Sequence, residues 1–219
     1  RVLVWRSSLR FADGAPADRV IGQASFSLAL ANSDTGRAQS PTATSLAGPR
    51  GLWVEPNGDL WVADGGNNRV LRFRKPIEQD GRIRADLVLG QPSFTSATSA
   101  AVTASSLRGP WGVAVSPDGS IFVGDTGNSR VLEYAPNPGN GAAARRVYGQ
   151  RDFVSGADLG VSSPQTLSTP TAVHVDDANF LYVADTGAHR VLIFPLSADA
   201  PEAGSLASFV LGQDSFEGR

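Results

Sequence analysis

Short runs dense in valine, isoleucine, leucine and aromatic residues recur along this chain, each ending in turn-forming chemistry. Between residues 111 and 150 they read WGVAV, IFVGD, RVLEY and RRVYGQ, four β-branched and aromatic segments of strand length. SPDG separates the first two, and EPNG and DDAN occupy the matching places elsewhere. Proline presets φ there, while Asn, Asp and Gly tolerate the tight reversal of a hairpin. Four strands joined by short turns predict an antiparallel meander, here denoted a, b, c and d in chain order. Strands a and b are apolar on both faces instead of alternating, which predicts sheets covered on both sides.

The pattern occurs three times. FLYVADTGAHRVLIF has counterparts in DLWVADGGNNRVLRF and SIFVGDTGNSRVLEY, so Asp64, Asp125 and Asp185 recur after 61 and then 60 residues, as do Arg69, Arg130 and Arg190. Ahead of each stands LAGPRGLWV, LRGPWGVAV or LSTPTAVHV, with Pro49, Pro110 and Pro170 in register. Behind come VIGQASF, VLGQPSF, VYGQRDF and VLGQDSF, which place Gln at 23, 91, 150 and 213. A long internal period marks a repeat architecture. Four-stranded units that need neighbours on both faces predict an all-β fold built of β-propeller blades.

Arg1–Trp5 and Arg19–Phe26 read as strands c and d without partners a and b. The expected organisation of 1–219 is therefore one propeller segment of fourteen strands: a half blade at 1–26 and blades at 46–94, 107–153 and 167–216. Stretches such as TSATSAAVTASSLRG and VSGADLGVSSPQT read as connectors between blades. Three and a half blades do not close a ring, and open sheet edges invite aggregation. The chain is thus expected to be part of a longer propeller, with closure by another chain as the alternative.

The pattern P-x-G-[VL]-x-V, a short turn, then [LI]-[YWF]-V-[AG]-D-[TG]-G-N-x-R-V resembles the NHL repeat, over nearly the whole chain apart from the connectors. The resemblance implies a propeller, often six-bladed, that binds protein, peptide, RNA or carbohydrate and is occasionally catalytic. Long connectors and the Gly-Gln-x-x-Phe ending depart from the common form and are similar to bacterial NHL-type proteins. With the Ser/Thr/Ala-rich connectors, that likeness suggests a bacterial, exported protein, extracellular or periplasmic.

Composition narrows the chemistry. At 219 residues, 41% hydrophobic and a formal charge of −2, the chain can build a core but does not suit a basic nucleic-acid surface. No window reaches the ~18 consecutive apolar residues of a membrane span, and the N-terminus lacks the basic and apolar regions of a secretory signal. Cysteine is absent, which removes disulfides, thiolate metal sites and cysteine nucleophiles. Methionine is also absent, which points to a processed chain or an excised segment. No nucleophile elbow or phosphate loop is present, and no cofactor is expected.

Repetition separates scaffold from candidate chemistry. The pairs Asp64/Arg69, Asp125/Arg130 and Asp185/Arg190 are expected to staple their own turns, and the four glutamines to tie strand d to the connector. Phe26, Phe94, Phe153 and Phe216 read as anchors for the connectors, and Trp5, Phe73, Tyr134 and Phe194 as core. Positions where the copies differ are better places for function. Arg50, Trp111 and Thr171 follow the repeated proline, and Asn68, Ser129 and His189 precede the repeated arginine. Antiparallel order puts both sets on one rim, the candidate binding face. His174 takes the strand-a position of Trp53 and Ala114 and is expected to lie enclosed between blades. The two histidines make no recognisable metal spacing. The expected function is a non-catalytic binding or scaffold module for a protein, peptide or carbohydrate. The alternative is a metal-dependent hydrolase, lactonase or lyase of the six-bladed type, with its key residues in blades outside this sequence.

Overall fold

The computed structural model describes residues 1–6, 12–33, 40–98 and 101–218. Part of the half-blade link (7–11), parts of two connectors (34–39 and 99–100) and residue 219 lie outside the described residues.

Fourteen strands form among the described residues. They are β1 (Val2–Val4), β2 (Arg19–Ile21), β3 (Pro49–Val54), β4 (Leu60–Asp64), β5 (Arg69–Phe73), β6 (Leu87–Leu89), β7 (Val113–Val115), β8 (Ile121–Asp125), β9 (Arg130–Tyr134), β10 (Arg146–Tyr148), β11 (Pro170–Val175), β12 (Phe180–Asp185), β13 (Arg190–Pro195) and β14 (Phe209–Leu211). β1 pairs with β2, and the rest make three antiparallel meanders, β3 to β6, β7 to β10 and β11 to β14. These are propeller blades with strand a innermost and strand d outermost. The turn after strand b is a single 3₁₀ turn, Gly65–Asn67, Thr126–Asn128 or Thr186–Ala188. It closes on Asn68, Ser129 or His189, each left-handed with φ of 52°, 50° and 54°.

Apolar clusters fill the spaces between sheets. Ile21, Leu46, Val62, Leu71 and Val88 join the half blade to the first full blade. Ala63, Leu89, Val113, Val123 and Leu132 join the first to the second. Phe122, Tyr148, Val173, Val183 and Phe194 join the second to the third. β4 and β8 are buried at every position, as sheets covered on both faces must be. β3 and β12 instead alternate, and Leu52 and Val54 are exposed: the half blade β1–β2 covers the first full sheet but has no inner strands to set beside β3, and the sheet of β12 has a neighbouring sheet on one face among the described residues. Trp5 is exposed at 40%, unlike the fully enclosed Phe73, Tyr134 and Phe194; the half sheet lacks the inner strands that would cover it.

Neighbouring inner strands touch backbone to backbone. Gly51 N–H donates to Trp111 O at 2.8 Å, and a Cβ on Gly112 would lie 3.0 Å from Thr171 O. That close approach is why the lead-in motif carries glycine after Pro-x. At the outer rim, Val88 N–H donates to Asn140 Oδ1 at 3.0 Å, and Val147 N–H to Glu202 O at 2.8 Å. The c–d loop of one blade therefore covers the outer edge of the blade before it, the protection an edge strand requires.

Candidate functional site

The repeated Asp and Arg prove to be the centre of each blade's fastening. Arg130 Nε donates to Asp125 Oδ2 at 2.7 Å, with both side chains fully buried. Its Nη1 donates to Phe153 O at 2.6 Å, and Nη2 to Thr103 O at 2.8 Å and Ser106 O at 2.9 Å. Asp125 Oδ1 accepts the Arg108 N–H at 2.7 Å, and Oδ2 also accepts Asn128 Nδ2 at 2.9 Å. One ion pair thus grips the incoming connector, the turn and the outgoing connector together. Arg69 repeats this with Asp64, Phe94, Thr42 and Ser45, and Arg190 with Asp185, Phe216, Ser163 and Thr166. Burial pushes the Asp125 carboxyl above its ordinary range, against the pull of Arg130 and the donated N–H bonds. Arg1 is a fourth member that sequence reasoning missed: it donates to the carbonyls of Phe26 and Leu28. The run RVLVW, aligned on RVLRF and RVLEY, was the available signal.

The glutamines act beside these hubs. Gln150 Nε2 donates to Ser129 O and to Ala157 O, both at 3.0 Å. Gln91 does the same to Asn68 O at 3.1 Å and Thr98 O at 2.9 Å. Strand d is thereby tied to both the turn and the connector.

The six candidate rim residues do not behave alike. Arg50 lies over the face of Trp111, 4.3 Å from guanidinium carbon to ring centroid, and donates from Nη1 to Gly109 O at 3.2 Å. Arg50 is exposed and Trp111 is 44% exposed. Thr171 is half-buried, and its hydroxyl bonds that of Thr186 at 2.5 Å. His189 is exposed. Ser129, in contrast, is buried, and Asn68 is a brace whose Oδ1 accepts the Gly109 N–H at 2.8 Å. Both were expected on the open rim. Asn68 is drawn inward by the next blade's lead-in loop at Gly109 and by its own connector, where its Nδ2 donates to Ala97 O at 3.4 Å, and the Ser129 backbone carbonyl is held by Gln150. Arg108 is exposed on the same rim and was not anticipated.

The other mouth of the channel, at the a–b turns, holds a cavity of about 510 Å³ lined by Trp53, Glu55, His174, Asp176 and Asp177 among others. His174 is exposed, not enclosed between blades, because the sheet that carries it is covered on one face only. Its ring lies 5.9 Å from Trp53 and 6.3 Å from Tyr182. Among the described residues no group of three His, Cys, Asp or Glu side chains is arranged to hold a metal ion, and no helix is long and apolar enough to cross a membrane.

Four-stranded meanders set side by side about a channel, each locked by the same Asp–Arg hub, define a β-propeller repeat protein. The family model for the NHL repeat matches residues 46–73, 107–134 and 167–194, once in each full blade, so the chain carries three NHL repeats. None of the curated proteins compared matches it. Among solved structures it is similar to a periplasmic gluconolactonase from Pseudomonas aeruginosa, at 16% identity and a TM-score of 0.48, covering 78% of this chain and 41% of that one. It is also similar to a catalytically inactive virginiamycin B lyase from Staphylococcus aureus, at 14% identity and a TM-score of 0.42, covering 73% and 46%. A protein from Lactobacillus plantarum matches at 19% identity and a TM-score of 0.46, covering 76% and 42%. The chain spans less than half the length of each of these three structures.

Proposed function

We propose that this chain is the non-catalytic binding portion of a propeller, and that its rim of lead-in loops holds a carboxylate-bearing peptide or glycan. The observation that carries the reading is the Arg50 guanidinium stacked on the exposed Trp111 ring at 4.3 Å. Stacking holds a guanidinium flat, and with one bond to Gly109 O the exposed Arg50 keeps further donors for a carboxylate. Trp111 adds a flat apolar surface for a sugar or side-chain face, and the exposed Arg108 adds charge of the same sign. We place the protein outside the bacterial cytoplasm, a reading supported by the Ser/Thr/Ala-rich connectors and the family likeness. Exposed Leu52 and Val54 on one flank, and Phe209 and Leu211 on the other, support closure of the ring by further blades.

The test is a panel of acidic and neutral peptides and glycans, with every binder remeasured on Arg50→Ala, Trp111→Ala and the double variant. Acidic binders should weaken at least tenfold in the double variant while the circular dichroism spectrum stays unchanged. Unchanged affinity, or a panel with neutral binders alone, overturns the assignment.

A further inference from the structure

We infer that the opposite mouth of the channel is a second binding site, one that takes the guanidinium or ammonium head of a basic peptide side chain. The cavity there measures about 510 Å³, within the ~300–1,000 Å³ range of small-ligand pockets. Its charged lining residues are Glu55, Asp176 and Asp177, and neither lysine nor arginine is among the residues that line it. Three acidic residues lining one concave, partly apolar space, the exposed Asp177 among them, bias its potential towards negative for whatever enters.

The aromatic component supplies the second attraction. Trp53 reaches from the first full blade to within 5.9 Å of the His174 ring in the third, with the planes inclined by 47°. That reach is open because the residue between them in register, Ala114, is small. A cation over the tryptophan face gains from the ring quadrupole, and tryptophan is the best ring for this.

The carboxylates are held in place before any ligand arrives. Asp176 accepts the N–H groups of Ala178 and Phe180 at 3.0 and 2.8 Å on Oδ1, and the Tyr182 hydroxyl at 3.0 Å on Oδ2. Tyr182 in turn packs on His174 at 6.3 Å. Glu55 Oε1 accepts Trp61 Nε1 at 2.6 Å. Asp177 is exposed and is the group most open to an arriving cation. Such preorganisation lowers the ordering cost of binding. This site lies at the other end of the strands from Arg50 and Trp111, and its charge is of the opposite sign.

The experiment uses N-acetyl-arginine amide and its neutral isostere N-acetyl-citrulline amide, titrated into the chain while the indole N–H signals are followed by NMR. The arginine probe should shift the Trp53 signal and bind about tenfold more tightly than the citrulline probe. Asp177→Asn, a change at an exposed position, should weaken the arginine probe several-fold, and Trp53→Leu should remove its binding. Arg50→Ala should leave it untouched, which separates failure here from failure of the rim assignment. Equal binding of the two probes, full affinity in Asp177→Asn, or no response at Trp53 overturns the inference.

Discussion

Replacing Arg130 with methionine is the sharpest test of how the blades are fastened. The guanidinium is fully buried against Asp125 at 2.7 Å and also serves the carbonyls of Phe153, Thr103 and Ser106. Methionine matches much of the stem volume but offers no donor, so it strands a buried carboxylate and three carbonyls at once. Breaking one partner out of a buried pair costs about 3–5 kcal/mol, a large part of the ~5–15 kcal/mol that holds a domain together. For a chain of this size each kcal/mol moves Tm by roughly 2–4 °C, so a fall of about 6–20 °C is expected. Urea unfolding followed by circular dichroism should show the lower midpoint with an unchanged slope. The matched control is Arg74→Met, whose partner Asp86 lies 3.6 Å away and whose side chain is 67% exposed; it should cost no more than about 0.5 kcal/mol. Asp125→Asn combined with Arg130→Met removes the stranded charge and should be less destabilised than Arg130→Met alone. A loss at Arg130 below about 1 kcal/mol, equal to that at Arg74, refutes the reasoning.

Two further outcomes follow from the same geometry. Gly51→Ala sets a Cβ inside contact distance of Trp111 O, which is backbone and cannot yield. It should lower stability by roughly 1–3 kcal/mol, whereas Gly139→Ala, with nothing within 4 Å of its would-be Cβ, should be neutral in the same thermal melt. The Phe180 N–H, the Tyr182 hydroxyl and the Ala178 N–H hold the Asp176 carboxyl below its ordinary value. A depressed folded-state value stabilises above the unfolded carboxylate pKa of about 3.9, and that contribution is lost as pH falls through the folded value. Asp176→Asn should therefore flatten the acid limb of a Tm-against-pH profile below about pH 4, and a limb as steep as the parent's refutes the assignment.

What could be read from residues alone follows from the range over which each feature is encoded. Strand positions, the a–b turns and the Asp–Arg pairs sit within five to fifteen residues of one another, so hydrophobic pattern and turn chemistry expose them directly. The reach of Arg69 to Thr42 and Ser45 spans connectors with no periodicity, and only the folded chain brings those carbonyls to the guanidinium. The register between repeats also conceals differences of environment. Asn68, Ser129 and His189 occupy one position in the alignment, yet the first is a brace, the second is buried and the third is exposed. What distinguishes them is the loop each one meets, which carries no local signal.

The position shared by Trp53, Ala114 and His174 shows how a repeat protein makes something unique from identical parts. Every blade presents its inner strand to the channel at the same height, so a uniform residue there would give a symmetric lining with no distinguished place. Large, small and large in succession breaks that equality. Ala114 adds no bulk beyond Cβ, so the Trp53 ring extends past it and comes within 5.9 Å of His174. The Asp–Arg hubs are untouched by this variation because they lie at the far end of strand b, across the sheet from the a–b turns. The a–b turns can thus vary at a distance from the fastening, whereas Arg50 and Trp111 lie at the same end of the strands as the hubs, where the repeated Pro, Asp and Arg stay fixed while the residue after the proline changes. At one mouth the change has produced Arg50 stacked on Trp111, and at the other a tryptophan among carboxylates. A scaffold whose net charge is only −2 therefore offers two faces of opposite sign.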